Sequence, residues 1–426
     1  MSNPIRRGDE PAPPPTIDAE CTSTAFPKHV HWQQNTPVVL LVAPCHPRQR
    51  PTLGGNHRHL LSLLDVLSTL QVETVLVCDE EDNYDELYRQ FRSRGIAPEF
   101  APLCTRPKLA GQRLDEIIDH VRPMVLHVNG LHGWVEPALR VSRRMHTVPR
   151  RIYTMHAPLG SLRVSPESPV PWSARLPGRW AWRQRSADRR YVARFNAVVS
   201  VSYRFGLRLQ QSGLIPGDAV RILPNGIDTS RYCPRNSDRP PGAPLRIGTA
   251  ANLQRVKRLD LLIEALARLP QRYGARPELH IAGEGPERDS LFELARRLGV
   301  AERVRFHGYV SNMPRFLREL DLFALCSDSE AAPYAELEAM ATGLPSVVTD
   351  AGDLPHYVDD GTHGFVVARG DASGLASRLD TLVDDPSLRE RMGAAARERV
   401  EREFSHETWT LRMRDYLAEQ VLRAAS

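Results

Sequence analysis

The chain has 426 residues, of which 25% are charged and 41% hydrophobic, and a formal net charge of +5. That length exceeds what a single core sustains, so two domains are the default for a chain of this ordinary globular composition. The small charge excludes the strongly basic signature of a nucleic-acid binder, and no apolar run approaches the ~20 residues that span a bilayer.

Residues 1–35 are polar and rich in proline (Pro11, Pro13, Pro14, Pro15), unlike a signal peptide, and are expected to form a disordered leader. A first α/β domain is expected over residues 36–232. It opens with a strand at Pro37–Ala43, a loop containing Gly54 and Gly55, and a helix over Asn56–Leu70. Strands follow at Glu73–Cys78, Met124–Val128, Arg151–His156 and Ala197–Ser202, alternating with helical stretches. These strands are continuous apolar runs, the pattern of a parallel sheet covered on both faces. Between them, Arg175 to Arg194 holds seven arginines and one aspartate, with Trp180 and Trp182 inside and Trp172 just before. Such a mixture suits peripheral contact with an anionic membrane carrying a lipid-linked acceptor. The competing reading is a solvated basic helix, because Pro177-Gly178 interrupts a continuous amphipathic face.

Pro224-Asn-Gly-Ile-Asp228 signals a turn, and residues 233–244 read as a linker. The α/β pattern restarts over 245–400. Strands are expected at Leu245–Ala250, Glu278–Ala282, Val304–His307, Leu322–Cys326, Ser346–Thr349 and Gly364–Val367. Helices are expected at Asp260–Leu269 and Arg288–Leu298, and Gly283-Glu284-Gly285-Pro286 ends the second strand. Residues 401–426 are expected to be a C-terminal helix (Glu407–Leu422 at its centre) packing back on the first domain. Neither half opens with G-x-G-x-x-G, which discounts a dinucleotide fold. The six cysteines (Cys21, Cys45, Cys78, Cys104, Cys233, Cys326) form no C-x-x-C pair, so neither a metal site nor a disulfide framework is indicated and a reducing cytoplasm is the simplest setting.

The chemistry concentrates in Ser329 to Pro345. Glu330 stands in a turn after a buried strand, and Glu338 falls inside the following helix, for which Pro333 suits the first position. The free N–H groups at that helix start, with Ala332, Pro333 and Tyr334 around it, can hold a diphosphate. Glu338 can accept hydrogen bonds from vicinal ribose hydroxyls, and Glu330 can grip hydroxyls of a transferred sugar. The plain alternative is a surface helix whose glutamates face water. In Gly248 to Asp260, Lys257 lies in a loop at a strand's carboxyl end, where an ammonium can neutralise a departing diphosphate, with Arg255 able to share that role.

These blocks together resemble the retaining glycosyltransferases of family 4, which have the GT-B fold: two Rossmann-like, doubly wound parallel-sheet domains facing a cleft. The matching blocks are Lys257 and its helix, Ile281 to Pro286, Val304 to Gly308, Glu330 to Pro345, Pro224 to Asp228, and the Gly54-Gly55 loop. The resemblance implies that Glu330 and Glu338 are the two glutamates of the family's E-x7-E motif, associated with donor sugar and donor ribose. It implies that Lys257 contacts the diphosphate, that Gly54 and Gly55 allow close approach to donor phosphate and acceptor, and that His156 lines the catalytic cleft. Asn252 and Gly283 fall in the donor-side loops. It implies a nucleotide-diphosphate sugar, UDP- or GDP-linked, as donor, an acceptor glycan, glycolipid or small molecule, no cofactor and no bound metal. The absence of a D-x-D motif agrees with the last point.

Three departures leave the donor's identity open. Asn252 stands where the family often has arginine, Ala331 where it usually has glycine, and Pro333 removes an N–H that some members present. The implied reaction is glycosyl transfer with retention, in which the leaving phosphate helps deprotonate the acceptor. Synthesis of a cell-surface polysaccharide or glycolipid, on the cytoplasmic side of the membrane, is the leading expectation, with glycosylation of a small natural product as the alternative. A GT-B-fold epimerase or phosphorylase, and a catalytically silent binding partner, are the rivals that the fold alone does not separate.

Overall fold

The computed structural model of the chain describes residues 36–43, 55–79, 85–130, 132–157, 159, 178–236, 242–270 and 276–426. The expected leader (1–35), Gly54, and parts of the linker and of the Arg175–Arg194 segment lie outside the described residues. Two parallel sheets organise the rest.

The first sheet contains β1 (Val38–Val42), β2 (Glu73–Asp79), β3 (Glu99–Ala101), β4 (Val125–Gly130), β5 (Arg150–Met155), β6 (Ala197–Ser200) and β7 (Val220–Ile222). Its seven strands run in the order β3-β2-β1-β4-β5-β6-β7. The helices between them are α1 (Gly55–Thr69), α2 (Asp85–Ser93), α3 (Pro107–Val121), α4 (His132–Val141), α5 (Gly178–Val192) and α6 (Tyr203–Gln211). Every residue of β1, β4 and β6 is buried, which is why these strands read as unbroken apolar runs. The edge strands β3 and β7 are three residues each and left no comparable signal in the sequence.

The second sheet contains β8 (Arg246–Ala250), β9 (Glu278–Ala282), β10 (Val304–Gly308), β11 (Leu322–Leu325), β12 (Ser346–Thr349) and β13 (Gly364–Val367). Its six strands run β10-β9-β8-β11-β12-β13. Helices α7 (Leu259–Arg268), α8 (Arg288–Arg297), α9 (Met313–Arg318), α10 (Tyr334–Ala341), α11 (Leu354–Tyr357), α12 (Ala372–Asp384) and α13 (Pro386–Arg399) connect them. Two separate apolar clusters cover this sheet, one built on α7, α8 and α12 and the other on α9, α10 and α11. The strand order reverses at the first strand of each sheet, β1 and β8, and ligands of such sheets bind beyond the carboxyl ends of the strands there.

The chain passes between the two sheets twice, at neighbouring points. Ile227 donates its N–H to the Phe404 carbonyl and its own carbonyl accepts from His406 N–H, both at 2.8 Å. After this crossing, α14 (His406–Ala425) lies against the first sheet: Trp409, Met413, Tyr416 and Leu417 join the apolar cluster formed with α1. Arg150 donates to the Gln420 side chain at 2.7 Å.

Two local expectations change. Pro177-Gly178 does not interrupt a helix: α5 starts at Gly178 and runs unbroken to Val192. Asp188, Tyr191 and Val192 turn inward, while Trp182, Arg185, Arg189 and Arg190 lie toward the solvent side. Pro333 does not take the first helical position either. It is the cap residue of α10, at φ −70° and ψ 119°, because the preceding turn keeps it extended and Tyr334 becomes the first helical residue.

Candidate active site

The strand β11 delivers the chain into a tight turn, Cys326 to Pro333, and then into α10. Asp328 N–H donates to the Val256 carbonyl at 2.9 Å, which ties this turn to the loop after β8. That loop ends in a short 3₁₀ turn, Arg255–Lys257, closed by Arg258 in the left-handed conformation (φ 48°). Ion pairs from Arg258 to Asp260 and Asp328, at 3.1 and 3.3 Å, hold this unusual backbone and fix where Lys257 points. Lys257 Nζ donates to Glu330 Oε1 at 2.6 Å, and Ser327 Oγ donates to the same oxygen at 2.6 Å. Lys257 and Glu330, 73 positions apart, thus form one ion pair, with the glutamate side chain only 8% exposed.

Glu338 is held separately. Tyr232 donates its hydroxyl to Glu338 Oε1 at 2.7 Å, and the Arg58 guanidinium forms an ion pair with the same oxygen. Burial, and then the adjacent Glu338 carboxylate, hold the Tyr232 phenol above its ordinary range, so it stays a donor. Arg58 comes from the first turn of α1 and also lies over the Tyr334 ring, 5.8 Å from its centroid. At Gly55, a Cβ atom would sit 3.0 Å from Tyr334 Cδ2. The starts of α1 and α10 therefore meet, and a larger residue than glycine would push them apart. No side chain caps α10 and Pro333 supplies no N–H, so the positive end of the helix is left to the N–H groups that follow. Asn225, in the turn that carries the chain to the second sheet, donates to the Ala332 carbonyl at 3.1 Å and steadies the approach to α10.

A separate cluster of buried polar side chains stands at the ends of β4 and β5. His156 Nε2 lies 2.8 Å from Asn129 Oδ1, and its ring meets the His59 ring edge-on, with centroids 4.8 Å apart. His127 pairs with the Thr154 hydroxyl at 2.7 Å. Burial, reinforced by the neighbouring His59 and His127, pushes His156 well below the ordinary imidazole range. Burial carries His59 down to about 4, and burial with the charge of His59 carries His127 down to about 3. All three rings are neutral at physiological pH.

The structure thus groups Lys257 with Glu330, and Glu338 with Tyr334 and Gly55, while Ala332 and Pro333 form the turn between. His156 belongs to the first-sheet cluster, with Asn129 and His59, and makes no contact with either glutamate among the described residues. Arg255, Asn252 and Gly283 have no hydrogen bond or ion pair to either glutamate among the described residues. Arg255 instead lines a groove of about 720 Å³ with Gln254, Asp328 and Arg369. Gly283 serves the backbone: at φ 137°, any Cβ would lie 1.9 Å from the Ala251 carbonyl oxygen, so only glycine lets the β8 and β9 ends close up. Arg58, Tyr232, Ser327, His59 and Asn225 escaped sequence reasoning. For Arg58 a signal existed: a cation in the first turn of a helix opposes the helix dipole and calls for a nearby anion.

Comparison with known proteins bears on this arrangement. A family model described as Glycosyltransferase Family 4 matches residues 53–231, and one described as Glycosyl transferases group 1 matches residues 235–399. Among curated relatives, the lipopolysaccharide core biosynthesis glycosyltransferase LpsE of Rhizobium meliloti is 36% identical over 194 residues, covering 45% of this chain and 55% of that protein. The N-acetyl-alpha-D-glucosaminyl L-malate synthase of Bacillus anthracis is 33% identical over 157 residues, covering 37% of this chain and 41% of that one. The chain spans about half the length of the curated relatives it matches. Among solved structures, Anabaena HepE in complex with UDP and glucose has a TM-score of 0.68 at 19% identity, covering 90% of this chain and 100% of that one. Sucrose-phosphate synthase from Thermosynechococcus elongatus reaches 0.72 at 19% identity, covering 92% and 100%. These likenesses carry the fold.

Proposed function

Because this chain belongs to the family 4 glycosyltransferases of GT-B fold, we propose that it moves a sugar from a nucleotide-diphosphate sugar to an acceptor hydroxyl with retention of configuration. The observation that carries this reading is the meeting of the α1 and α10 starts beside two buried carboxylates and Lys257. Two helix N-termini within van der Waals reach of each other concentrate positive field, and a diphosphate is the anion that fits it. Glu338, just over one turn into α10, takes the ribose hydroxyls. Lys257 balances the charge that develops on the departing diphosphate. Glu330, which accepts from Lys257 and Ser327, takes hydroxyls of the transferred sugar.

In this reading the first-sheet cluster forms the opposite wall, and its His156 is a neutral imidazole suited to hydrogen-bonding the sugar or acceptor rather than to ion pairing. The leaving phosphate then receives the acceptor proton on the face where the bond breaks. UDP is the first donor nucleotide to test, since it is the one in the HepE complexes, with GDP second. The acceptor is assigned to cell-surface polysaccharide or glycolipid synthesis, in line with the relatives named for lipopolysaccharide core and colanic acid. No helix among the described residues is long and apolar enough to cross a membrane. The arginines on the outer side of α5, with Trp182 at 68% exposure, form a face suited to peripheral contact with anionic lipid on the cytoplasmic side.

The test is a thermal-shift titration of the full chain with UDP, GDP and ADP and their sugars, without added metal. A ligand at 100 times its Kd stabilises the fold by roughly 2.7 kcal/mol. A selective shift that Glu338→Ala abolishes supports the reading. No shift with any of them favours a silent relative that has kept the fold.

A further inference from the structure

Glu338 is not waiting open for a ribose. Its Oε1 already accepts from both Arg58 and Tyr232, and its side chain is only 5% exposed. The two partners differ in how firmly they are held. Tyr232 is packed into the apolar cluster under α10 and is 3% exposed. The Arg58 side chain is 39% exposed and rests on the face of Tyr334. Arg58 is thus the partner that can leave, and it belongs to the first sheet's helix while Glu338 belongs to the second's.

We propose that Arg58 is a donor-responsive latch, which holds Glu338 in the donor-free chain and is displaced from it by the vicinal hydroxyls of the arriving ribose. The inference rests on the ribose role given to Glu338 above. A carboxylate accepts two vicinal hydroxyls best with both oxygens free of a cation, so ribose and Arg58 compete for the same group. The exchange also suits the charges: the cation is released next to the α1 start as the diphosphate arrives, and the buried carboxylate is never left without a donor. While closed, the latch adds one ion pair between the helices of the two sheets, and donor entry undoes it.

Two measurements on the full chain test this. The first is a thermal-unfolding double-mutant cycle of Arg58→Ala and Glu338→Ala without nucleotide. The latch predicts that the double variant loses clearly less than the sum of the single losses; strict additivity overturns it. The second compares the affinities of UDP and 2′,3′-dideoxy-UDP, and of the corresponding GDP pair, in the unmodified chain and in Arg58→Ala. Ribose must break the latch and dideoxyribose need not, so the ratio of ribo to dideoxy affinity should rise about tenfold in the variant. Any contact of Arg58 with phosphate affects both ligands alike and cancels in that ratio. An unchanged ratio with measurable binding overturns the latch while leaving the donor reading intact. Coupling in the first measurement with no binding of either nucleotide in the second overturns the donor reading, and the latch as a donor response with it.

Discussion

The two walls of the proposed site are built on opposite electrostatic terms. The second sheet presents charge: the Glu330 and Glu338 side chains, 8% and 5% exposed, form ion pairs with Lys257 and Arg58. The first sheet presents neutral polarity: His59, His127 and His156 are buried together, and burial removes their protons. On the proposed reading, the charged side balances the departing diphosphate and the neutral side hydrogen-bonds the sugar. Arg58 is the informative exception, since it is a cation from the first sheet's helix serving the second sheet's carboxylate.

The sharpest way to break this division is at its strongest charge. Lys257→Ala should lower kcat by at least ~100-fold, by analogy with loss of one preorganised oxyanion donor, and should do so more than it weakens donor binding. A near-normal kcat in steady-state assays would move that role to Arg255, although that residue faces a different groove. The opposite wall should answer differently. His156→Ala should lower kcat by roughly tenfold, the effect of one neutral hydrogen bond, and leave donor Kd unchanged by calorimetry. A large loss of donor affinity would mean that the neutral wall also grips the diphosphate.

The same contrast explains what could be read in advance. The second sheet's strands, its E-x7-E segment and the loop of Lys257 are local features, each contained in one short stretch and each tied to one kind of chemistry. So the parallel α/β architecture could be anticipated, and Lys257 and Glu330 could each be singled out, but their pairing across 73 positions could not. Partners that come from far along the chain could not. Arg58 and Glu338 are 280 positions apart and Tyr232 and Glu338 are 106 apart, and nothing in the composition of either segment announces the other. Arg255 illustrates the converse: two residues from Lys257 in sequence, it turns to another groove because the 3₁₀ turn rotates successive side chains apart. At the start of α5 the sequence is ambiguous by itself, since a Pro-Gly pair marks a helix boundary as readily as a break.

A smaller effect separates the walls by pH. Each buried imidazole has a folded-state pKa below its unfolded value of 6.5. The unfolded chain therefore binds more protons once pH falls below that value, and stability is present above it and lost on acidification. Each ring can contribute up to about 1.4 kcal/mol per pH unit down to its own folded pKa. At His59 burial outweighs the opposing contact with the Asn225 side chain, which misses good hydrogen-bond geometry, so His59→Phe should flatten the fall in thermal midpoint between about pH 6.5 and 5. An unchanged acid limb would mean that His59 meets a proton or a water in the folded state.

On the second sheet's side, Glu336 titrates with the opposite sign. Glu336 lies two residues before Glu338, so on α10 it faces nearly the other way, into the core and toward Ser346. Neither of its oxygens makes a well-formed hydrogen bond, and burial pushes its carboxyl up to about 7 from the usual 4.5. Here the folded chain binds more protons than the unfolded one across that window. Its stability contribution is complete below about pH 4.5 and is lost as pH rises toward 7. Glutamine copies the protonated form and cannot ionise, so Glu336→Gln should match the unmodified chain at about pH 5 and exceed it at about pH 8, by on the order of 1–3 kcal/mol in chemical unfolding. Donor affinity should not change, because the neighbouring Glu338 keeps its partners on the other side of the helix. A variant no more stable at the higher pH would mean that the core around Ser346 solvates the Glu336 charge, and the second wall would then be charged on both faces of α10.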